Sequence, residues 1–544
     1  MENAMQHDAE SPNEPDEIVH VESRSSGDED GTRRAVPAWI LSLVVHALVL
    51  GLLSLIIYAA REDVDEPPLR TAHLPKPIED EKPQERREDP PETVPLPIPE
   101  ATEKPSPVTE LEVPIEEFAS EDEEESDMAR GREEATSTSE IGQQGAFMAI
   151  GSGGGVVGMY GSRQGTGKKR AIGRFGGTPG SEKAVDGALR WFKKHQSMNG
   201  QWDVDGYPAN CGEAPRCEPG TAHTDEAGDL AGTGYALLCF LGAGYDQRMA
   251  SRYRATVRKG LDWLVSMQQA DGSFGKRNYE HAIATMALVE AYGMSKEQAL
   301  KEPAQKAIDV LLSRQTKDGK GGYGLGWDYV GPNPTRIDAS VSGWCVMALK
   351  SAAASGLNVG NGLEDAKQYL ERAWKATNRN FVPKDPYTDT STFPYTWNSE
   401  TDAVEVKPGS DSHDMAPVGA LMAVFLHHDS KDPMLNSMAN HIMTHMFPKA
   451  YPLNTYYMYY NTLAMFMVND ERWLKWNASG RDMLLNAQRQ EQGCFDGSWD
   501  WESTKFHGHQ MGRILSTAYC CLSLEVYYRY LPPEEVAKMK RTGL

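Results

Sequence analysis

The chain has 544 residues, 40% of them hydrophobic, with 78 acidic against 55 basic side chains and a formal net charge of −23. The length permits several domains and a large core. The acidic balance argues against nucleic acid as a partner, because phosphate binding needs a basic footprint.

Much of the acidity flanks a single apolar run and so describes tails more than a folded domain. Residues 1–34 are acidic, Ser-rich and poor in hydrophobic residues, which predicts a disordered tail. "AVPAWILSLVVHALVLGLLSLIIYAA" follows, Ala35 to Ala60, with His46 its one strongly polar member. At ~1.5 Å per residue it reaches ~39 Å, against ~30 Å for a hydrocarbon core. A polar segment precedes it and no small-residue cleavage site closes it, which fits an uncleaved transmembrane helix better than a signal peptide. Arg33 and Arg34 abut one side and Arg61 the other. By that narrow margin the positive-inside rule puts the N-terminus in the cytoplasm and the bulk of the chain outside. The expected location is therefore the cytoplasmic (inner) membrane, crossed once.

Residues 61–180 read as a linker. The first part is Pro- and Glu-rich ("EDPPETVPLPIPE", "EEFASEDEEES"), a semi-stiff stalk. The second is Gly-rich. Its "GTGKK" is no phosphate loop, because Ser162 stands where the first Gly belongs and Lys169 follows Lys168. Lys168, Lys169 and Arg170 form a basic cluster there, available to the membrane or to the domain.

From 181 to 535 the composition turns globular, with helical periodicity and almost no strand alternation. Residues 536–544 are a short tail. "GLDWLVSMQQADGSFG", Gly260 to Gly275, is an amphipathic helix closed by Gln268, Gly272 and Phe274. The same spacing places Gln196, Gly200 and Trp202 in "ALRWFKKHQSMNGQW". It returns with Gln315 and Gly319, and again with Gln488, Gly497 and Trp499 across a longer loop; "AKQYLERAWKATNRNF" is a looser copy. In each, the Gln can bond orphan carbonyls or the next turn, the Gly supplies the positive φ expected to stop the helix, and the aromatic tucks back as a lid. Such a unit cannot bury its apolar face alone, so units stack. Between them lie helices apolar on most faces, such as "EHAIATMALVEAYG" and "YYMYYNTLAMFMV", which belong inside. Pairing outer with inner helices gives about six hairpins, an all-α, double-layered (α/α)6 toroid.

The Gln-x-x-x-Gly-x-Trp repeats resemble the QW motifs of the squalene/hopene cyclase and prenyltransferase superfamily. The closer likeness is to membrane-anchored bacterial proteins with prenyltransferase/squalene-oxidase repeats, whose typical segments look like "SGWCVMALKSA" and "LSTAYCCLSLEVYYRYLP". It covers about residues 180–535. What the resemblance implies for chemistry is limited by the residues present. Cyclases of this kind protonate an alkene with an Asp in D-x-D-D. In "DSHDMAPVGAL", Asp411 and Asp414 match the ends but His413 stands where the donor should be, and imidazolium is a far weaker acid. The prenyltransferase zinc set is unmatched, since no D-x-C occurs and Ser516 sits at the His position, so neither a metal nor a cofactor is expected. Cys211-Gly212-Glu213-Ala214 lacks the Gln that a thioester needs. Cys211 and Cys217 flank a short loop and can close a local disulfide or remain free thiols.

What remains is a central cavity. Its candidate ligand-binding residues are Glu280, His281, Trp327, Asp338, Trp344, Tyr456, Tyr457, Tyr460 and Trp499, with Asp411, His413 and Asp414 as candidate catalytic groups. Core filling and helix capping account for many of these equally well. An aromatic pocket with a few acids suits an isoprenoid or other lipid. The first expectation is a non-catalytic toroid that binds such a lipid, or a partner protein, at the cell envelope. The second is an enzyme acting on an isoprenoid, with Asp411 and Asp414 as its acids. The third is a polysaccharide-cleaving toroid using Glu280 with Asp338 or Asp414. An open centre favours ligand or enzyme; a filled one favours a scaffold.

Overall fold

A computed structural model describes residues 161–534 apart from 222–224, 320, 407–414, 428, 491–492 and 502–507. The tails 1–34 and 536–544, the apolar run 35–60 and the linker up to residue 160 lie outside the described residues. So do Asp411, His413 and Asp414. Among the described residues no helix is long and apolar enough to cross a membrane.

Helices α1 (Gly165–Phe175), α2 (Pro179–His195), α3 (Glu226–Gly242), α4 (Arg254–Met267), α5 (Asn278–Ser295), α6 (Gln298–Arg314) and α7 (Ala339–Ala354) come first. They are followed by α8 (Gly362–Thr377), α9 (Ala416–His427), α10 (Pro433–His445), α11 (Thr455–Val468), α12 (Glu471–Ala487), α13 (Gly508–Leu524) and the short α14 (Val526–Arg529). Their starts follow capping chemistry. Thr178 and Ser181 form a capping box with Pro179 at the first position of α2, and Asp225, Asp338, Asp432, Asn454 and Asp470 each accept an amide N–H of the first turn.

From α3 onward the odd-numbered helices to α13 are buried nearly all round, and they pack in a closed circuit, α3 on α5, α7, α9, α11, α13 and back to α3. Each even-numbered helix from α2 to α10 lies between two of them on the outside, and α12 packs on α11 and on α2. This is the expected α/α toroid, its layers set by which helices are apolar on one face and which on all. Three two-residue strands, β1 (Ile337–Asp338), β2 (Thr396–Trp397) and β3 (Val404–Glu405), pair antiparallel in that order, and β1 delivers Asp338 to the start of α7.

The repeats work differently from the sequence expectation. Each helix ends at the Gln itself, which takes extended backbone at 196, 268, 315 and 488. The Gln side chain then donates twice. Gln196 reaches Gly200 O (2.8 Å) and Thr256 O (3.0 Å), and Gln268 reaches Gly272 O (3.0 Å) and Pro303 O (2.9 Å). Gln315 reaches Leu325 O (2.7 Å) and Gly362 O (3.0 Å), while Gln488 reaches Gly497 O (2.9 Å) and Ala184 O (2.7 Å). Each Gln thus ties its own loop to the following outer helix, and Gln488 ties the last to the first. The Gly does not stop the helix. It permits contact: Gly497 has φ +85°, and a Cβ there would lie 2.1 Å from Gly187 O. In the looser copy Asn378 replaces Gln; its side chain donates to Trp374 O and Thr392 O and accepts from Thr392 N, within its own unit.

The segment read as the end of a linker is partly domain. Arg163 and Lys168 are buried, Lys168 pairs with Glu182 (3.1 Å), and α1 is fastened to α12 by Trp473 Nε1 donating to Phe175 O (3.2 Å) and Asn477 to Gly176 O (3.0 Å).

Candidate functional site

The inner helices run in parallel, so the ring has two distinct ends. At the carboxyl ends, Glu290 of α5 accepts from Arg163 (2.8 Å), and both its carboxylate oxygens accept from Nη2 of Arg529 (3.0 Å each), with Ser351 of α7 at 3.4 Å. Arg529 also donates to Leu238 O of α3 (2.7 Å), and Glu525 stands 3.7 Å away. Arg163, Glu290, Glu525 and Arg529 are all fully buried. Burial alone would raise the Glu290 pKa, but the two guanidiniums outweigh it and hold it below the usual range. Burial pushes Glu525 up to about 8 against the opposing pull of Arg529. This end is a closed ionic plug, and the sequence reading missed it. Its signal was a Glu in an otherwise apolar helix and an i,i+4 Glu–Arg pair.

Aromatic side chains from several inner helices meet in the middle of the ring. Tyr235 and Tyr519 share a hydroxyl contact of 2.7 Å. Trp344 lies 5.4 Å from the Tyr235 ring, 6.2 Å from Tyr459 and 6.0 Å from Tyr460, and Tyr456 lies 4.7 Å from Tyr460. α3 and α11 are not neighbours of α7 in the circuit, so the Trp344 contacts cross the centre. Trp344, Tyr456, Tyr457 and Tyr460, all expected to line a cavity, are therefore brought together, each less than 7% exposed.

The amino ends of the inner helices form the mouth. Asp338 caps α7 through Val341 N (3.1 Å), accepts from Ser340 Oγ (2.6 Å) and pairs with Arg336 (3.0 Å), which also pairs with Asp328. Arg336 lies 5.3 Å over the Tyr329 ring and 5.8 Å over Tyr395. Tyr329 in turn stacks on Tyr279 of α5 at 6.2 Å. Beside it Arg277 pairs with Glu280 (2.8 Å) and Asp225 (3.3 Å). Burial raises the Asp338 pKa, and the bonds from Ser340, Val341 N–H and Arg336 only partly offset it. Burial likewise raises the Tyr329 and Tyr395 hydroxyls. Glu280 and Asp338 were expected here; Arg277, Tyr279, Arg336 and Tyr395 were not, because nothing in their spacing marks them.

Three expected ligand residues serve the repeats instead. His281 is buried; its Nδ1 accepts from Phe274 N (3.1 Å) and its Nε2 donates to Ala307 O of α6 (3.0 Å). Burial lowers its pKa to about 3, which keeps it neutral. Trp327 and Trp499 donate Nε1 to Leu311 O and Leu484 O of their own outer helices, both at 2.8 Å, as lids. Of the two states left open for Cys211 and Cys217, disulfide or free thiols, the structure has the second. Both are free thiols, turned toward His195 with the Cys217 N–H donating to Cys211 Sγ (3.3 Å).

Residues 172–397 match the family model of the squalene-hopene cyclase C-terminal domain. Over this stretch the chain is similar to that family. A squalene–hopene cyclase of Bradyrhizobium diazoefficiens is 26% identical over 185 residues, 32% of this chain and 27% of that protein, so the chain spans about a quarter of the relative's length. Among solved structures, a cellobiose 2-epimerase of Spirochaeta thermophila is 12% identical with TM-score 0.46, covering 67% of this chain and 98% of its own. An α-1,6-mannanase of Salegentibacter sp. is 11% identical with TM-score 0.44, covering 64% and 99%.

Proposed function

We propose that this cyclase-like toroid is a non-catalytic recognition domain of the cell envelope, held to the membrane by the run 35–60, that engages a partner protein through its mouth. The observation that carries the reading is the contact of Tyr235, Trp344, Tyr459 and Tyr460 across the ring centre. An isoprenoid undergoing cyclisation needs that volume, and the side chains occupy it. The sequence offers His413 where a cyclase needs its proton donor, and the mouth acids Glu280 and Asp338 are each held by an arginine. What the mouth presents is a guanidinium over tyrosine faces, bordered by carboxylates. Arg and Tyr are the side chains that dominate protein interfaces.

The test is photo-crosslinking in cells with a reactive residue at Tyr329, alongside native mass spectrometry of the full chain exposed to a membrane lipid extract. A discrete protein adduct that disappears in Arg336→Glu supports the reading. A discrete lipid mass, or turnover of a polysaccharide that falls in Glu280→Gln, overturns it.

A further inference from the structure

On the side of the mouth but at the outer wall, where the first repeat meets the last, lies a buried cluster that the mouth residues do not use. His195 is the last residue of α2 and fully buried. Its Nδ1–H donates to Trp191 O (2.8 Å), which fixes the tautomer and leaves Nε2 with its lone pair free to bind. Nε2 faces two sulfurs, Cys211 Sγ at 3.3 Å and Cys217 Sγ at 3.6 Å. All three ligand atoms lie within 4.8 Å of one another. A tetrahedral zinc, with Zn–N about 2.1 Å and Zn–S about 2.3 Å, holds nitrogen and sulfur about 3.6 Å apart. The observed separations are close to that edge.

A further sulfur is at hand. Cys494, buried in the last repeat, has its thiol close enough to Cys211 for the two to interact. Its carbonyl accepts from Trp191 Nε1 (3.0 Å) and from the Cys217 thiol (3.3 Å), which locks this loop onto α2. Two backbone amides point at sulfur: Cys217 N at Cys211 Sγ (3.3 Å) and Glu213 N at Cys494 Sγ (3.4 Å). An imidazole with its other nitrogen held by a carbonyl is the usual outer arrangement of a metal-bound His.

We propose that His195, Cys211 and Cys217 bind a structural zinc ion, and that Cys494, whose sulfur stands outside this group of three, closes in as the fourth ligand. Sulfur and imidazole donors in a closed, buried tetrahedron select zinc over calcium or magnesium, which take oxygen. The ligands come from positions 195 to 217 and from 494, so the ion ties the first repeat to the last. It closes the ring at the seam that Gln488 and Gly497 close by hydrogen bond and contact. The proposal is independent of what the mouth binds.

The test is metal analysis of the full chain, purified in detergent under reducing conditions, then exchange with cobalt. The expected result is about one zinc per chain and, with cobalt, the intense visible bands and sulfur-to-metal charge transfer of a tetrahedral thiolate site. Cys211→Ser and Cys494→Ser should lose the metal, whereas Cys239→Ser, buried elsewhere, should keep it. The wild-type cobalt spectrum decides the matter even where a variant does not fold. A reduced chain that takes up neither metal, a cobalt spectrum without sulfur charge transfer, or a Cys211–Cys217 disulfide in peptide maps of the native protein overturns the proposal.

Discussion

The two ends of the ring use the same chemistry to different effect. At the closed end, two arginines surround Glu290 with no side-chain exposure; at the mouth, Arg336 sits between Asp328 and Asp338 with 36% of its side chain exposed. A guanidinium sealed from water cannot lose its partner without stranding a charge, so the closed end holds segments together that are far apart in sequence, 163, 290 and 529. A guanidinium left in water gains little from its partner and stays available. The largest expected effect follows from the first case. Glu290→Gln should keep the shape and remove the charge, costing about 3–5 kcal/mol of stability because Arg163 and Arg529 lose the buried carboxylate they share. Chemical denaturation of the two proteins measures it, and a loss under about 1 kcal/mol would mean that the closed end is not a lock.

The seam joins the last repeat to the first and is separate from the closed end. Gln488→Ala removes both donations to Gly497 O and Ala184 O, with an expected loss of about 1–2 kcal/mol at about 1 kcal/mol per net hydrogen bond. Gln268→Ala removes an equivalent pair inside the ring. If both cost the same, the seam is an ordinary repeat junction. If Gln488→Ala costs less, other contacts at 187, 195 and 494 carry the closure.

Acid should separate the two ends. Glu290 is held below its ordinary 4.5, so its stabilisation is present above that pH and is lost as pH falls through its folded value. Asp338 is raised above its ordinary 3.8, so its buried charge costs stability at neutral pH, and protonation on acidification relieves that cost. Melting temperature against pH should therefore show the acid limb below 4.5 weakened in Glu290→Gln, with Asp338→Asn more stable than wild type at neutral pH. An unchanged acid limb in Glu290→Gln would count against the assigned direction at the closed end.

The ring itself was legible because apolar periodicity separates inner from outer helices, and the Gln-Gly-aromatic spacing marks each junction. Residues such as Trp344 and Tyr460 were placed at the centre for the same reason. What the pattern could not reveal was direction. His281 and Trp499 sit in the right helices and loops, yet a bond to Ala307 O or Leu484 O turns each toward the outer layer. Arg336 and Arg163 were invisible because a basic residue in a loop looks the same whether it ends in solvent or against a carboxylate from elsewhere in the chain. Cys494 was hidden by distance, 277 positions from its contact at Cys217. The function of the Gln also depended on the neighbouring helix, which one repeat read alone does not contain.

The smallest expected effect on stability tests the other half of the comparison. Arg336→Ala removes the cation from the mouth, but Asp338 keeps Ser340 and the Val341 amide, Asp328 keeps the Asn333 side chain (2.8 Å), and Asp338, already raised, can take up a proton. The loss should therefore be no more than about 1 kcal/mol, within the range of exposed pairs. The same substitution takes the guanidinium from above Tyr329 and Tyr395, so crosslinking at the mouth should fall while the fold persists. Denaturation and crosslinking must be read on the same variant. A protein that unfolds as readily as Glu290→Gln would make the mouth a second structural plug. A stable protein with undiminished crosslinking would move the interface elsewhere on the toroid. Only a stable protein with lost capture fits one end built to hold and the other built to bind.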